Sequence, residues 1–331
     1  MDLRHKTLLI TGIGNFIGRR TAEMALERGI KVRGLEKDPD AARQLESKGI
    51  EVVIGSVTEP TALERACQDV DFVFHTESVQ EASGDIKHFR AVNVDGTIAA
   101  VKAARRAKVR AFVHLSSVMV YGFNYPDGVT ETGTLRGENN PFCQTKIESE
   151  TEVFKYNDPS EFGAIAIRAG DIYGPGADAW VLRPLKLMEQ KVFVLIDGGR
   201  GTINHLYIDN LADGVFLTLE KEAYGEVFNL TDGAQTSWKD YYLRLAEIGG
   251  MPQPSSMPGF LVKKAAQFKG KEVNFSPAAI DFVTRQHTYS IEKARRVLHF
   301  VPQVGLDEGM ARTAAWLRSY APSPALLTRS A

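Results

Sequence analysis

Apolar runs of strand length alternate with amphipathic runs of helix length over the first two thirds of the chain. Strand-like runs lie near residues 6–11, 31–36, 50–54, 70–75, 110–116 and 163–168. The helix-like runs between them include residues 17–28, 86–107 and 141–156. This alternation is typical of βαβ units, in which helices connect parallel strands. The pattern therefore predicts an α/β fold built on a doubly wound sheet of six parallel strands.

Beyond Gly170 the alternation becomes irregular, and glycine-rich segments such as 174–176 and 198–199 separate shorter elements. Strands are predicted near 192–195 and 226–230, and helices near 209–221, 236–248, 290–298 and 306–319. We predict a first domain over residues 1–170, a smaller α/β lobe over 171–320 and a frayed tail over 321–331. Some segments of the lobe are expected to return to the first domain.

The composition is that of a globular protein without a strong charge bias. The 331 residues include 40 Lys and Arg against 41 Asp and Glu, so the net charge is −1 and nucleic acid is not expected as a partner. Cys67 and Cys143 show neither disulfide nor zinc spacing, which favours a reducing, cytoplasmic location without a metal site. The sequence has no run of about 18 apolar residues, so no integral membrane segment is expected.

A glycine-rich turn joins the first predicted strand to the first predicted helix. The segment TGIGNFIG at residues 11–18 contains Gly12, Gly14, Asn15, Phe16, Ile17 and Gly18. Backbone N–H groups and the helix dipole at such a turn hold a pyrophosphate, as in Rossmann-type domains. Asn15 stands where a close-approach glycine is common, and we expect the loop to form because Asn best tolerates a left-handed backbone. The alternative is an ordinary strand-to-helix turn.

The second predicted strand ends at Glu36, about 20 residues beyond the glycines. A carboxylate there accepts hydrogen bonds from the ribose hydroxyls of an adenine dinucleotide and repels a 2′-phosphate. The sequence therefore predicts NAD as the cofactor, although Lys37 follows directly and an unliganded surface Glu is the alternative.

Several further segments, in order, resemble the extended short-chain dehydrogenase/reductase family, also called the NAD-dependent epimerase/dehydratase family. The resemblance covers roughly residues 5–320. Besides TGIGNFIG, it is carried by residues 73–75, 93–97, 115–122, 145–148, 167–176 and 205–209. It implies that residues 1–170 bind the dinucleotide and that the C-terminal lobe mainly binds the substrate.

In this family a tyrosine exchanges the proton of the substrate hydroxyl while hydride moves to or from the nicotinamide. The resemblance implies Ser117 as the partner of that hydroxyl, Lys146 as ribose anchor and depressor of the tyrosine pKa, and Asn93 as support. The further implied cofactor contacts are Ser56, Val57, Thr76, Ser116 and Ala169. The implied substrate contacts are Glu77, Met119, Tyr121, Asp171 and Tyr173.

The tyrosine position holds Phe142, which has no proton to exchange. Because a general acid or base supplies about 10² to 10⁴ in rate, the chemistry of this chain is expected to be severely impaired. Three explanations stay open. Phe142 is an introduced substitution, or another acid such as Tyr121, Tyr125 or an ordered water replaces the tyrosine, or the protein holds the dinucleotide without turnover.

Two more positions depart from the family. Ser56 stands where an Asp usually contacts the adenine amine, and Glu77 stands where a small apolar residue usually lies beside the cofactor. Glu77 would stabilise the oxidised nicotinamide or act as a base if it faces the ring, and otherwise turns to solvent.

The substrate class rests on the C-terminal lobe. Residues 282–294 and 297–302 resemble the 3β-hydroxysteroid or sterol dehydrogenase branch, which implies a small, largely apolar alcohol or ketone. A nucleotide-sugar epimerase or dehydratase is the alternative enzyme. Residues 251–268 are expected to form an amphipathic lid, a membrane-surface segment or a plain covering helix. The resemblance also implies a homodimer through the helices near 86–107 and 141–156.

Overall fold

The computed structural model describes residues 1–80, 84–138, 140–262, 264 and 277–320. The strands of the main sheet are β1 (Thr7–Thr11), β2 (Lys31–Glu36), β3 (Glu51–Ile54), β4 (Phe72–His75), β5 (Ala111–Ser117), β6 (Gly163–Ala169) and β11 (Val227–Leu230). The shorter strands are β7 (Asp171–Tyr173), β8 (Val194–Ile196), β9 (Thr202–Ile203), β10 (His205–Tyr207), β12 (Thr236–Ser237) and β13 (Ser255–Met257).

The helices follow the strands in a largely regular order. They are α1 (Phe16–Glu27), α2 (Pro39–Glu46), α3 (Pro60–Cys67), α4 (Ile86–Arg90), α5 (Thr97–Arg106), α6 (Pro141–Phe154), α7 (Arg183–Glu189), α8 (Ile208–Glu220), α9 (Trp238–Ile248), α10 (Pro277–Thr284), α11 (Glu292–Leu298) and α12 (Leu306–Ser319). A π-helical turn at Ala91–Gly96 joins α4 to α5, so the predicted helix near 86–107 is continuous but irregular.

The main sheet has seven parallel strands in the order β3-β2-β1-β4-β5-β6-β11. The six predicted strands and the Rossmann-type α/β class are confirmed. The strand predicted near 226–230 is the seventh strand of this sheet, because it pairs with β6.

Helices cover both faces of the sheet. Along β1, Leu8 and Ile10 pack in one hydrophobic cluster with α1 and α8, whereas Leu9 packs in a second cluster with α3 and α5. Successive side chains of a strand point to opposite faces, so burial of both faces requires a continuous apolar strand. This explains why the main strands read as apolar runs rather than as alternating patterns.

The described strands outside the main sheet form short two-stranded pairings. β7 pairs with β10, β9 with β12 and β8 with β13. The segment 251–268, expected to form a lid, a membrane-surface segment or a covering helix, contains β13. Residues 263 and 265–268 of it, and the predicted tail 321–331, lie outside the described residues. Within the described part of the chain, no helix is both long and apolar enough to cross a bilayer.

Candidate active site

The parallel arrangement brings the carboxyl ends of β1, β2, β4, β5 and β6 to one edge of the sheet. Ligands of open α/β sheets bind at this edge. Most predicted site residues lie on or just beyond strand ends, whereas Asn93 lies in the π-helical turn and Phe142 and Lys146 lie on α6.

The glycine turn forms, but not with the backbone expected for Asn15. Gly12 carries the left-handed conformation, with a φ of +66°, whereas Asn15 is extended with a φ of −77°. Asn15 instead caps α1, because its Oδ1 accepts a hydrogen bond from the Gly18 N–H at 2.8 Å. Its Nδ2 donates to Thr76 Oγ1 at 3.0 Å, which ties the turn to the segment after β4.

Close approach of the backbone requires Gly18, whereas the neighbour of Gly14 is the end of a flexible side chain. A Cβ on Gly18 would lie 2.6 Å from the Gly12 carbonyl oxygen, and one on Gly14 would lie 2.1 Å from Oε2 of Glu36. The N–H groups of Phe16 and Ile17, at the start of α1, have no acceptor among the residues that the structure describes. Free N–H groups at a helix N-terminus fit a phosphate group.

Glu36 lies over this turn. Its Oε2 accepts a hydrogen bond from the Gly14 N–H at 2.8 Å, and its Oε1 accepts one from the Asp38 N–H at 2.9 Å. The carboxylate is therefore fixed beside the turn, where the ribose hydroxyls of a dinucleotide would be held. At the end of β3, Ser56 bonds instead within its own loop to Thr58, and Val57 packs against Gly96.

Glu77 reaches the same turn from the other side. Its Oε2 lies 2.4 Å from the point that a Cβ on Gly12 would occupy. Burial raises the pKa of the Glu77 carboxyl, Lys37 lowers it and Glu36 raises it, with a smaller lowering from Lys146. Glu77 is half-buried and does not turn to solvent.

The candidate catalytic residues lie on α6 and at the end of β5. Asn140 caps α6 by accepting hydrogen bonds from the N–H groups of Phe142 and Cys143 at 2.9 and 3.1 Å. Lys146, one turn beyond Phe142, is buried, and its Nζ donates to the Leu115 carbonyl oxygen at 2.8 Å. That Nζ lies 5.8 Å from the centroid of the Phe142 ring. Ser117 Oγ, partly exposed, accepts a hydrogen bond from the Met119 N–H at 3.2 Å.

Burial lowers the pKa of Lys146 to about 8, although the negative charges of Glu150 and Glu77 raise it. The lysine is thus still mostly protonated near neutral pH. Asn93 supports α6 from the other side, because its Nδ2 donates to Thr145 Oγ1 at 3.0 Å and its Oδ1 accepts from the Val79 N–H at 2.7 Å.

The alternative acids are engaged elsewhere. Tyr121 is fully buried. Its hydroxyl donates a hydrogen bond to Asn229 Oδ1 at 2.7 Å and accepts one from Arg168 Nη1 at 2.8 Å. Burial raises the pKa of Tyr125 to about 12. Its ring stacks on the Tyr289 ring, with 4.4 Å between the ring centroids. These contacts argue against either tyrosine as a replacement for the missing hydroxyl.

The predicted substrate contacts differ in their exposure to solvent. Met119 and Asp171 are partly exposed, and burial raises the pKa of Asp171 to about 7. Tyr121 and Tyr173 are fully buried, which argues against direct contact with a substrate. Ala169 and Thr76 are buried at the strand ends, and Thr76 Oγ1 donates to the Thr11 carbonyl oxygen at 2.7 Å.

A buried ion pair behind the site is missed by sequence reasoning. Arg168 Nη2 lies 2.7 Å from Glu150 Oε2, and the two side chains are 5% and 4% exposed. Ser116, predicted as a cofactor contact, donates its hydroxyl to the same carboxylate. The available signal is the charge of Arg168 within the apolar run of β6, because a buried charge requires a partner.

The comparisons with known proteins identify the family of this chain. A family model described as "NAD dependent epimerase/dehydratase family" matches residues 8–231. A ketoreductase of Stigmatella aurantiaca, acting on a 4-hydroxy-2-methyl-3-oxo-4-farnesyl-3,4-dihydroquinoline-1-oxide, is 27% identical over 91% of this chain and 93% of that protein. A 3-beta-hydroxysteroid dehydrogenase of Mycolicibacterium neoaurum is 25% identical over 92% of this chain and 89% of that protein.

The fold is also similar to the UDP-glucose 4-epimerase of Thermotoga maritima solved with UDP-glucose, with a TM-score of 0.76, 20% identity and coverage of 96% of this chain and 100% of that chain. At this identity the likeness shows the fold alone. The family match extends over more than half of the chain and includes the glycine turn, the end of β5 and α6. It confirms the predicted cofactor class, because the family is defined by NAD. The chain belongs to the NAD-dependent epimerase/dehydratase family, the extended short-chain dehydrogenases/reductases.

Proposed function

We propose that this protein binds NAD at the glycine turn and transfers hydride between the nicotinamide and an alcohol or ketone carbon of a small, largely apolar molecule, at a rate limited by Phe142. The observation that carries the proposal is Lys146. A buried ammonium is costly, and this one donates to a backbone carbonyl instead of pairing with a carboxylate in the described part of the chain. Such a placement is typical of a functional lysine.

The residues present fit the dinucleotide. The free N–H groups of Phe16 and Ile17 suit the pyrophosphate, and the Glu36 carboxylate, already fixed over the turn, suits the ribose hydroxyls. Lys146, with donors remaining beyond the one given to Leu115, suits the second ribose. When bound, NAD supplies the hydride acceptor or donor.

The chain lacks a side chain that exchanges the proton of the substrate hydroxyl at position 142. Ser117 Oγ accepts from the Met119 N–H, so its own O–H stays free to donate to the oxygen of a substrate. Phe142 retains an aromatic ring at the start of α6 but offers no proton. Lys146 provides positive charge beside this position until it deprotonates above about pH 8. The proton then has to come from water, which explains the low rate we propose.

The apolar substrate class is supported by the relatives, which include the ketoreductase and the hydroxysteroid dehydrogenase named above. The UDP-glucose epimerase supports the fold, so a nucleotide-sugar substrate is the weaker alternative. A second candidate function, a dinucleotide-binding protein without turnover, is favoured by Phe142 together with the engagement of Tyr121 and Tyr125. The homodimer remains a prediction from the family resemblance, and the cytoplasmic location remains a prediction from the cysteine usage.

The test is to restore the hydroxyl. We expect Phe142→Tyr to raise NADH-dependent turnover of a panel of ketones by about 10² to 10⁴, the range of a general acid. Phe142→Leu is the matched control, since it changes the ring without adding a hydroxyl, and should give no gain. In the Phe142→Tyr background, Lys146→Met should remove the gain.

Two further outcomes separate the candidates. Saturable NAD binding without any gain from Phe142→Tyr would favour the protein without turnover. No NAD binding would refute the proposal. Thermal protection by a UDP-sugar but not by a sterol-like ketone would refute the apolar substrate class.

A further inference from the structure

The Glu77 carboxylate occupies the surface of the glycine turn. Its Oε2 stands 2.4 Å from the position of a Cβ on Gly12. The backbone that carries it is held in place, because Thr76 donates to the Thr11 carbonyl at 2.7 Å and accepts from Asn15 at 3.0 Å. The carboxylate therefore stays close to the turn unless its own side chain rotates away.

Two carboxylates thus lie over one short turn. Glu36 lies over Gly14 and accepts its N–H, whereas Glu77 lies over Gly12 and accepts no hydrogen bond from the turn. The charged groups that act on Glu77 are Lys37 and Glu36 at the end of β2, and Lys146 on α6. Glu36 has a use in a dinucleotide site, as acceptor for ribose hydroxyls, but an ionised Glu77 opposes any phosphate that reaches the turn.

We propose that Glu77 couples dinucleotide binding to the uptake of one proton, with its carboxyl ionised in the free protein and protonated in the complex. This inference rests on the proposed NAD binding. A protonated carboxyl changes from an acceptor to a donor, and its O–H then donates to a phosphate oxygen instead of repelling it. Half-burial already raises the pKa of this carboxyl, so protonation is less costly than at an exposed Glu.

The direction of the pH dependence follows from linkage. A group that takes up a proton on binding has a higher pKa in the complex than in the free protein. Affinity for NAD is then fully present below the pKa of the free carboxyl and falls as the pH rises towards the pKa of the bound carboxyl. When one proton is taken up, the affinity for NAD changes by at most about tenfold per pH unit.

Titration calorimetry with NAD at pH 6, 7 and 8, in two buffers of different ionisation enthalpy, measures affinity and proton uptake together. For the unaltered protein we expect uptake approaching one proton and affinity at least about fivefold weaker at pH 8 than at pH 6, within the usual range of coupling. Glu77→Gln should take up no proton at this site and bind more tightly than the unaltered protein at pH 8. Glu77 raises the pKa of Lys146, which burial lowers to about 8, so the same titration of Lys146→Met measures the share of the proton uptake that belongs to the lysine.

Glu36→Gln is the matched control, because it removes the other carboxylate over the same turn and should weaken binding at every pH. Equal affinity and equal proton uptake in the unaltered protein and Glu77→Gln would overturn the inference while leaving NAD binding intact. Tighter binding by Glu77→Gln without proton uptake by the unaltered protein would also overturn it, because the carboxylate would then only be displaced. Absence of saturable heat in both proteins at every pH would overturn the proposed function itself.

Discussion

Removing Glu150 should destabilise the protein far more than removing an exposed carboxylate. The Glu150 carboxylate receives hydrogen bonds from Arg168 Nη2 at 2.7 Å, from Arg168 Nε at 3.1 and 3.2 Å, and from the Ser116 hydroxyl. With side chains 5% and 4% exposed, water cannot replace the lost partner. Glu150→Ala leaves the guanidinium buried, with Nη1 still bonded to Tyr121 and to the Glu131 carbonyl but with Nε and Nη2 without their acceptors.

The expected magnitude follows from this uncompensated charge. Breaking a buried ion pair from one side costs about 3–5 kcal/mol, whereas replacing both partners by apolar residues is often near neutral. We therefore expect Glu150→Ala to lower the free energy of unfolding by about 3–5 kcal/mol. The double variant Glu150→Leu with Arg168→Met should lose clearly less free energy of unfolding than the summed losses of Glu150→Leu alone and Arg168→Met alone.

Urea denaturation followed by circular dichroism measures these losses. The matched control is Glu292→Ala, which removes an i,i+3 pair between Arg295 and Glu292 whose side chains are 47% and 72% exposed. This control should cost less than about 1 kcal/mol. A loss for Glu150→Ala as small as that of the control, or strict additivity in the double variant, would refute the reasoning from burial.

Two further predictions concern the acidic residue of the lobe and the glycine turn. Burial raises the pKa of Asp171 from 3.8 to about 7, so the folded state holds a proton that the unfolded chain has released, and stability should fall as the pH rises from about 4 to about 7. Unfolding at pH 4.5 and 7.5 should show this fall, by at most about 1.4 kcal/mol per pH unit, and an equal fall in Asp171→Asn would contradict it. Gly18→Ala should cost about 1–3 kcal/mol in urea denaturation, because the new Cβ would meet the Gly12 carbonyl oxygen at 2.6 Å. Gly305→Ala, whose Cβ would meet no atom of the described residues within 4 Å, is the control, and an equal cost in both would contradict the close approach.

The sequence predicts the main sheet well because its strands are buried on both faces and therefore form long apolar runs. It does not show α2 (Pro39–Glu46) or α3 (Pro60–Cys67), which have eight residues each and leave little room for a periodic pattern. Of the two- and three-residue strands, β8 is predicted, near 192–195. The others are missed, since pairing with a distant partner, and not local pattern, defines them.

The site shows the same division. Gly12, Gly18 and Glu36 are identified from spacing, because a glycine turn followed by an acidic strand end is a local feature. The backbone conformation of Asn15 is not predicted correctly, since its cap on Gly18 and its bond to Thr76 depend on where β4 ends in space. The position of Glu77 over Gly12 and the pairing of Glu150 with Arg168 are likewise tertiary facts that join residues distant in sequence.

The absence of a hydroxyl at Phe142 does not loosen the elements around it. The Asn140 cap fixes the start of α6, and two contacts hold the helix against the sheet, namely the Lys146 bond to Leu115 of β5 and the Glu150 pair with Arg168 of β6. None of them involves the Phe142 side chain, so a tyrosine hydroxyl added there would enter a site whose lysine and serine are already fixed. For this reason the rate gain expected from Phe142→Tyr tests the chemistry of one group and not the repair of a disrupted fold.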